Sequence, residues 1–286
     1  PPATACGAER VREAAELGAT EVCLQGGIHP DFDGDFYLKV LETVREAAPN
    51  IHIHGFTALE VTEGARRLGI NLRAYLQCLK DAGLSSLPGT AAEILDDEVR
   101  AVICPDKVTT TEWLDCHETA HELGLRSNVT IMFGHVERPI HWVRHLLRTR
   151  ELQERTGGFT EFIPLPFVHM ASPMYLKRRS RRGPTWREVV LMHAVGRIAY
   201  RGSITNVQAM QNYASGSSRC YGRINSCRSF GMCLRQVRQM APILNLAAFQ
   251  NFRQTTEVCH STPHPPIRTR RTTFALNKRK PQGLNS

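Results

Sequence analysis

Residues 21–30 read EVCLQGGIHP: a strand-like run from Glu21 to Gln25 breaks at Gly26 and Gly27 and passes into His29 and Pro30. A strand that stops on paired glycines exposes main-chain N–H and C=O groups with no side chain in front of them, so a small polar ligand can approach the backbone closely. Taken alone, a glycine pair is usually a turn. The rest of the chain repeats the arrangement, and the repetition decides the fold.

Outward from this stretch, short apolar runs alternate with helix-period segments. Helices are expected at residues 11–17, 36–48, 59–68, 72–82, 139–155 and 186–200, with Gly83 stopping the fourth. Thr110 or Thr111 is expected to cap another that reaches Leu123, with Gly124 just past its end. Strands are expected at 21–25, 51–56, 84–87, 125–133, 159–165 and 204–208. Strand-then-helix order implies parallel strands joined by right-handed crossovers, hence an α/β chain forming a TIM-type β/α barrel or part of one. In such folds the site lies on the loops at the carboxyl ends of the strands. The chemically suggestive residues fall there: Gly26, Gly27 and His29; His54 and Phe56; Gly89, Thr90 and Glu93; Gly134, His135 and Glu137; Pro164, Pro166 and His169.

Bulk properties bound the class. The 286 residues are enough for a single barrel domain. No apolar run approaches the roughly 18 residues of a membrane span. The amino-terminal PPATACGAER has neither the basic flank nor the apolar core of a signal peptide, so a cytoplasmic protein is expected. Nine scattered cysteines, an odd number, favour reduced thiols over a disulfide framework. The net charge of +9 is uneven: residues 210–286 hold 12 of the 36 basic and 1 of the 27 acidic residues, leaving 24 basic and 26 acidic in the body. A basic tail can attract phosphates, but this one has no recognition motif or aromatic platform, so neither nucleic acid nor membrane is an expected partner. The expected division is a partial barrel over 1–209 and a basic, irregular tail over 210–286.

His52 and His54 share one face of their strand. Such an HxH pair can hold a divalent metal that activates water in a barrel hydrolase, with His135 or His169 as a further ligand. No late strand delivers the aspartate that such a site needs as base, so no metal site is assigned. Glu93, after PGTAA, reads as a first-turn carboxylate of a helix. Asp96, Asp97 and Glu98 read as a solvated acidic cluster, and KRRSRR (177–182) as a solvated loop within reach of an anionic ligand. Neither a P-loop nor a GxSxG elbow nor a complete GxGxxG occurs.

The runs EVCLQGGIHPDFDGDFY, IHIHGF, SLPGTAAEILDDEVRAVICPDK, TIMFGHVE and RTGGFTEFIPLPFVH resemble the radical S-adenosylmethionine enzymes of deazaflavin and menaquinone biosynthesis. GTAAEILDDEVR and EFIPLPFVHMASPMYL are most similar to the tyrosine 4-hydroxyphenyl transferases of FO synthesis. The resemblance covers about residues 8–209. It implies S-adenosyl-L-methionine and a [4Fe-4S] cluster as cofactors, L-tyrosine and 5-amino-6-(D-ribitylamino)uracil as small-molecule substrates, and the other FO synthase component as a possible partner. In that family reductive cleavage of S-adenosylmethionine yields a radical that takes hydrogen from tyrosine, and the 4-hydroxybenzyl fragment adds to the uracil. The cofactor carries the radical chemistry; the protein orients the reactants and excludes water. The resemblance assigns cofactor binding to Gln25, Gly26, Gly27, Thr90, Gly134, Glu137, Ile163 and Pro164, and places His54, Glu93, His135 and His169 in the catalytic pocket.

Two departures accompany the resemblance. The family carries a CxxxCxxC loop after its first barrel strand, because three thiolates bind three irons and leave the fourth for S-adenosylmethionine; no such motif occurs in these 286 residues. The expectation is an incomplete barrel lacking its first strand and cluster loop, and inactive alone. After Ala209 the text turns to the Arg-, Ser- and Cys-rich MQNYASGSSRCYGRINSCRSFGMCLRQ, read as a shifted frame or a disordered tail whose Cys220, Cys227 and Cys233 lack cluster spacing. The alternatives are a menaquinone-pathway relative acting on a futalosine-type substrate, a metal-dependent hydrolase and a noncatalytic remnant.

Overall fold

Six strands pair in sequential order, each parallel to the next: β1 (Glu21–Leu24), β2 (His52–Gly55), β3 (Ser86–Leu87), β4 (Arg126–Phe133), β5 (Phe159–Pro166) and β6 (Asn206–Val207). Sequential parallel order with helical crossovers is the construction of a β/α barrel wall, as the alternating pattern implies. The structure, a computed structural model, describes residues 3–208. The expected tail over 210–286 and its cysteines therefore lie outside the described residues.

The helices are α1 (Ala3–Glu16), α2 (Gly34–Ala47), α3 (Ala58–Leu68), α4 (Leu72–Asp81), α5 (Asp97–Ile103), α6 (Thr110–Glu122), α7 (Pro139–Thr156), α8 (Pro173–Leu176) and α9 (Trp186–Tyr200). Two of them correct the sequence reading. The acidic cluster opens α5: Asp97 and Glu98 are solvated as expected, but Asp96 is buried at the N-cap and paired to Arg144 at 3.0 Å. Glu93 is not in a helix at all: it occupies a turn with φ +46°. The cap of α6 is Thr109, one residue before the expected position.

One local device recurs. Thr57, Thr109 and Thr185 each cap a helix whose third residue is Glu60, Glu112 or Glu188, and in each case the threonine and glutamate exchange hydrogen bonds reciprocally. Two of these glutamates also serve the strand ends.

The sheet separates two chemically different faces. Outward side chains such as Ile53, Leu87, Val129, Ile131, Phe133 and Phe162 are fully buried beneath the helices, where Leu41, Leu76, Trp113 and Tyr200 meet them. Close approach tightens this layer: a Cβ on Gly64 of α3 would lie 2.6 Å from the Tyr75 hydroxyl, which donates to the Gly34 carbonyl at 2.7 Å. Gly64→Ala should therefore destabilise the fold by about 1–3 kcal/mol, measured by urea unfolding.

The helix layer also buries neutral histidines. The Ser127 hydroxyl lies 3.0 Å from Nδ1 of His117 and 2.7 Å from Nε2 of His121, and the Leu95 N–H donates to Nδ1 of His145. Burial holds His117 well below the ordinary value of 6.5, His121 at about 4 and His145 at about 3, with neighbouring arginines adding to the last two. The unfolded chain binds these protons near pH 6.5 and the folded chain does not. Stability is therefore full above that pH and declines as pH falls from about 6.5 toward 4. Melting followed by circular dichroism should show a lower Tm at pH 5 than at pH 8; equal values would contradict neutral burial.

Candidate functional site at the carboxyl rim of the sheet

At the end of β1 the glycine pair meets a carboxylate. Oε1 of Glu60 accepts from the Gly26 N–H at 2.7 Å and the Gly27 N–H at 2.8 Å, while Oε2 accepts from the Thr57 N–H at 2.7 Å. Glu60 is 1% exposed, so one buried carboxylate ties β1 to the start of α3. Tyr37 donates to the Gly27 carbonyl at 3.0 Å, and burial together with the Glu60 charge pushes its hydroxyl up to about 12. The glycine N–H groups, expected to be open to ligand, are thus occupied. A Cβ on Gly27 would meet nothing within 4 Å, and φ +70° there favours glycine. Gln25 is exposed and donates to the Cys23 sulfur at 3.6 Å.

After β3 the chain runs through Thr90 to Glu93 in a constrained turn. Ala91 and Glu93 both sit in the left-handed region, at φ +67° and +46°. What holds them is Arg100 of α5, only 3% exposed, whose guanidinium donates to the carbonyls of Ala91, Ala92 and Val108. Lys107 pairs with Glu93 at 2.5 Å. The Thr90 hydroxyl is buried with no hydrogen-bond partner among the described residues. Strain of this sort, held by its surroundings, clusters at ligand sites.

At the end of β4, Glu137 folds back on its own loop. Its carboxylate accepts from the N–H groups of Gly134 at 2.6 Å and His135 at 2.8 Å, from Trp142 Nε1 at 3.0 Å and from Arg181 at 3.2 Å. Burial alone would raise this carboxyl; His135 and the two N–H donors outweigh it and hold it below the ordinary range. His135 is 1% exposed, with Nδ1 accepting from Val136 N–H and Nε2 donating to the Met132 carbonyl. Both of its nitrogens serve the backbone, and burial lowers its pKa. Arg181 also pairs with the capping Glu188 at 2.7 Å, so the supposed solvated loop is anchored through one residue of its basic run.

His54 lies lower, on the inner face of β2. Its Nδ1 is 2.7 Å from the Ser86 hydroxyl, as is Nε2 of His52, and Asn128 Nδ2 lies 3.3 Å from its Nε2. Burial lowers its pKa, against the opposing pull of Glu21. The HxH pair thus converges on a serine. On β5, Ile163 is half-buried and Pro164 buried, while His169 beyond it stacks edge-on against Tyr175 at 4.6 Å. The glycine pair, Thr90 and the Gly134–Glu137 turn follow the carboxyl ends of β1, β3 and β4, as the sequence implies, whereas His54 is recessed below that rim and His135 is sealed within it.

The sequence reading missed Glu60, Ser86, Arg100 and Asn128. Glu60 was announced by the T-x-x-E box at 57–60, and Ser86 by nothing until register set it beside His54. No local pattern marks Arg100 or Asn128.

The family model described as Radical SAM superfamily matches residues 8–149. The chain carries a radical SAM domain. Its sequence is 49% identical over 201 residues to an FO synthase of Mycobacterium leprae, covering 70% of this chain and 23% of that protein. It is 46% identical over 205 residues to the 5-amino-6-(D-ribitylamino)uracil--L-tyrosine 4-hydroxyphenyl transferase of Methanocaldococcus jannaschii, covering 71% of this chain and 57% of that protein. A looser structural likeness, at 12% identity and TM-score 0.43, is to archaeal Methanocaldococcus infernus Elp3 with an amino-terminal deletion, over 71% of this chain and 51% of that one. The chain therefore spans about a quarter of the FO synthases and just over half of the transferase.

The iron–sulfur cluster that the radical SAM domain implies does not fit the described cysteines. Cys23 and Cys78 are exposed, on β1 and α4, whereas Cys104 and Cys116 are buried at the end of α5 and in α6. Burial pushes the Cys104 thiol up and that of Cys116 to about 12, the opposite of what a metal-binding thiolate needs. The one potential metal-ligand group among the described residues, Asp96, Glu98 and His141, contains no cysteine, and Arg144 already pairs with both of its carboxylates.

Two substitutions test the rim. Glu60→Ala strips the acceptor from three N–H groups and should cost at least about 2 kcal/mol in urea unfolding. Arg100→Met, which leaves the Ala91, Ala92 and Val108 carbonyls unpaired, should cost about 3 kcal/mol or more, with Arg100→Lys recovering part of it.

Proposed function

We propose that this chain supplies the S-adenosylmethionine- and substrate-binding face of a tyrosine 4-hydroxyphenyl transferase of deazaflavin synthesis, acting on L-tyrosine and 5-amino-6-(D-ribitylamino)uracil. Identity with the FO synthases and the archaeal transferase supports the substrate class. The observation that carries the reading is the cradle at the end of β1, where a Cβ on Gly27 would meet nothing within 4 Å and the buried Glu60 carboxylate holds both glycine N–H groups.

With Glu60 occupying both glycine N–H groups, what the strand end offers a ligand is carbonyl oxygen and negative charge. That suits the ammonium of S-adenosylmethionine, a donor-only cation. The buried, partnerless Thr90 hydroxyl fits a polar atom of the same ligand. The Gly134–Glu137 turn and the backbone of Ile163–Pro164 form the adenine side. Bound S-adenosylmethionine supplies one-electron chemistry at a carbon centre. The protein's part is to place tyrosine and the uracil against that centre and keep water away. His169, half-buried and with its ring hydrogen-bonded to no backbone group among the described residues, is assigned to substrate, and His54 to the inner wall. His135 and Glu93 shape their loops, through the backbone of 132–136 and the Lys107 pair respectively. The roles proposed for the described residues are confined to binding and orienting the reactants, since their cysteines do not fit the cluster. No helix among the described residues is long and apolar enough to cross a membrane, in keeping with a small-molecule enzyme of the cytoplasm.

Titration calorimetry with S-adenosylmethionine tests the reading without requiring turnover. The protein should release heat with a saturable isotherm. Gly27→Val, which places a branched residue at positive φ in the cradle, should weaken binding about tenfold or more. Unchanged affinity in the variant would remove the cradle from the site.

A further inference from the structure

The inner face of the sheet is polar where a barrel interior is ordinarily filled with branched apolar side chains. Cys23, His54, Ser86, Asn128 and Glu161 face inward from β1 to β5, and Asn206 and Gln208 continue the row through β6. The row is reachable: Cys23, His52, Asn206 and Gln208 are exposed, and His54 and Glu161 half-buried.

Its hydrogen bonds have a fixed sense. The Gly89 N–H donates to Asn128 Oδ1 at 2.6 Å, so the amide presents Nδ2, a donor only, to Nε2 of His54. Nε2 therefore carries the lone pair, and Nδ1–H of His54 donates to the Ser86 hydroxyl. With His52 on the same oxygen, two of the three hydrogen-bonding capacities of Ser86 are used and one remains. Across the wall, Oε2 of Glu161 accepts from Asn206 at 2.8 Å and Gln208 at 2.5 Å, and Oε1 has no partner among the described residues. The wall thus offers oriented, partly unsatisfied acceptors and donors, with Glu21 and Glu161 discouraging anions.

We propose that this wall is a polyol subsite, in which Ser86, His54 and Glu161 receive the hydroxylated side chain of a ribityl-bearing substrate. The inference rests on the transferase reading above and adds the residues that set its specificity. A chain of hydroxyls both donates and accepts at each carbon, which matches alternating serine, carboxylate and amide groups. An apolar occupant would strand them and an anionic one would meet two carboxylates. Rejection of an analogue lacking the hydroxyls follows, because the wall's polar groups would be left unpaired.

The test compares 6-(D-ribitylamino)uracil with 6-(methylamino)uracil, which has no hydroxyls, by titration calorimetry against the full chain. The ribityl compound should bind at least about tenfold more tightly. Ser86→Ala and Glu161→Leu should each remove most of that advantage while leaving the methylamino compound's affinity unchanged. Glu161→Gln, which retains shape, should lose less; circular dichroism establishes that each variant is folded. Equal binding of the two compounds by the unaltered protein, or a ribityl advantage that survives both substitutions, overturns the subsite while leaving a uracil-binding enzyme in place. Failure of the ribityl compound to bind overturns the transferase reading and the subsite with it.

Discussion

One buried carboxylate sets the geometry of the rim. Glu60 belongs to the first turn of α3, where a capping box would exist for the helix alone. Its second oxygen leaves the helix and takes the two glycine N–H groups that end β1. Fixing a strand end and a helix start through the same group means that neither moves without the other. All three backbone N–H donors meet one carboxylate that is only 1% exposed, so losing that acceptor is costly. The same economy operates at Glu188, which caps α9 and grips Arg181, and through Arg181 reaches Glu137 and the turn after β4.

The two faces of the sheet follow opposite rules. Outward positions carry aliphatic and aromatic side chains sealed by helices, the ordinary way to bury both strands and crossovers. Inward positions carry histidine, serine, asparagine and glutamate, linked to one another rather than to the core. Alternation along each strand lets one short segment satisfy both: Ile53 packs outward between His52 and His54, and Val129 between Asn128 and Thr130.

Much of this was legible in the sequence. The strand and helix order was written in alternating apolar periodicities, and α9 has the bounds its pattern implies. Gly27 and Gly134 were visible because glycine is favoured where φ is positive. What escaped was tertiary. PGTAAEILDD resembles the start of a helix, yet Arg100, buried on α5, holds Ala91 and Glu93 in conformations that local propensity disfavours. Asp96 looked solvated because a run of acids normally is; its burial depends on Arg144, 48 residues later. The convergence of His52, His54 and Ser86 required the register of β2 against β3, which no single strand encodes.

The sequential pairing of β1 through β6 has a consequence for synthesis. Among the described residues every strand finds its partner in the segment just completed or the one about to follow, so none of these pairings waits for a distant part of the chain. Such a sheet can be laid down strand by strand as the polypeptide leaves the ribosome, each new crossover covering the hydrophobic face of the last. Its growing edge, rather than its core, is then the surface that needs protection during translation.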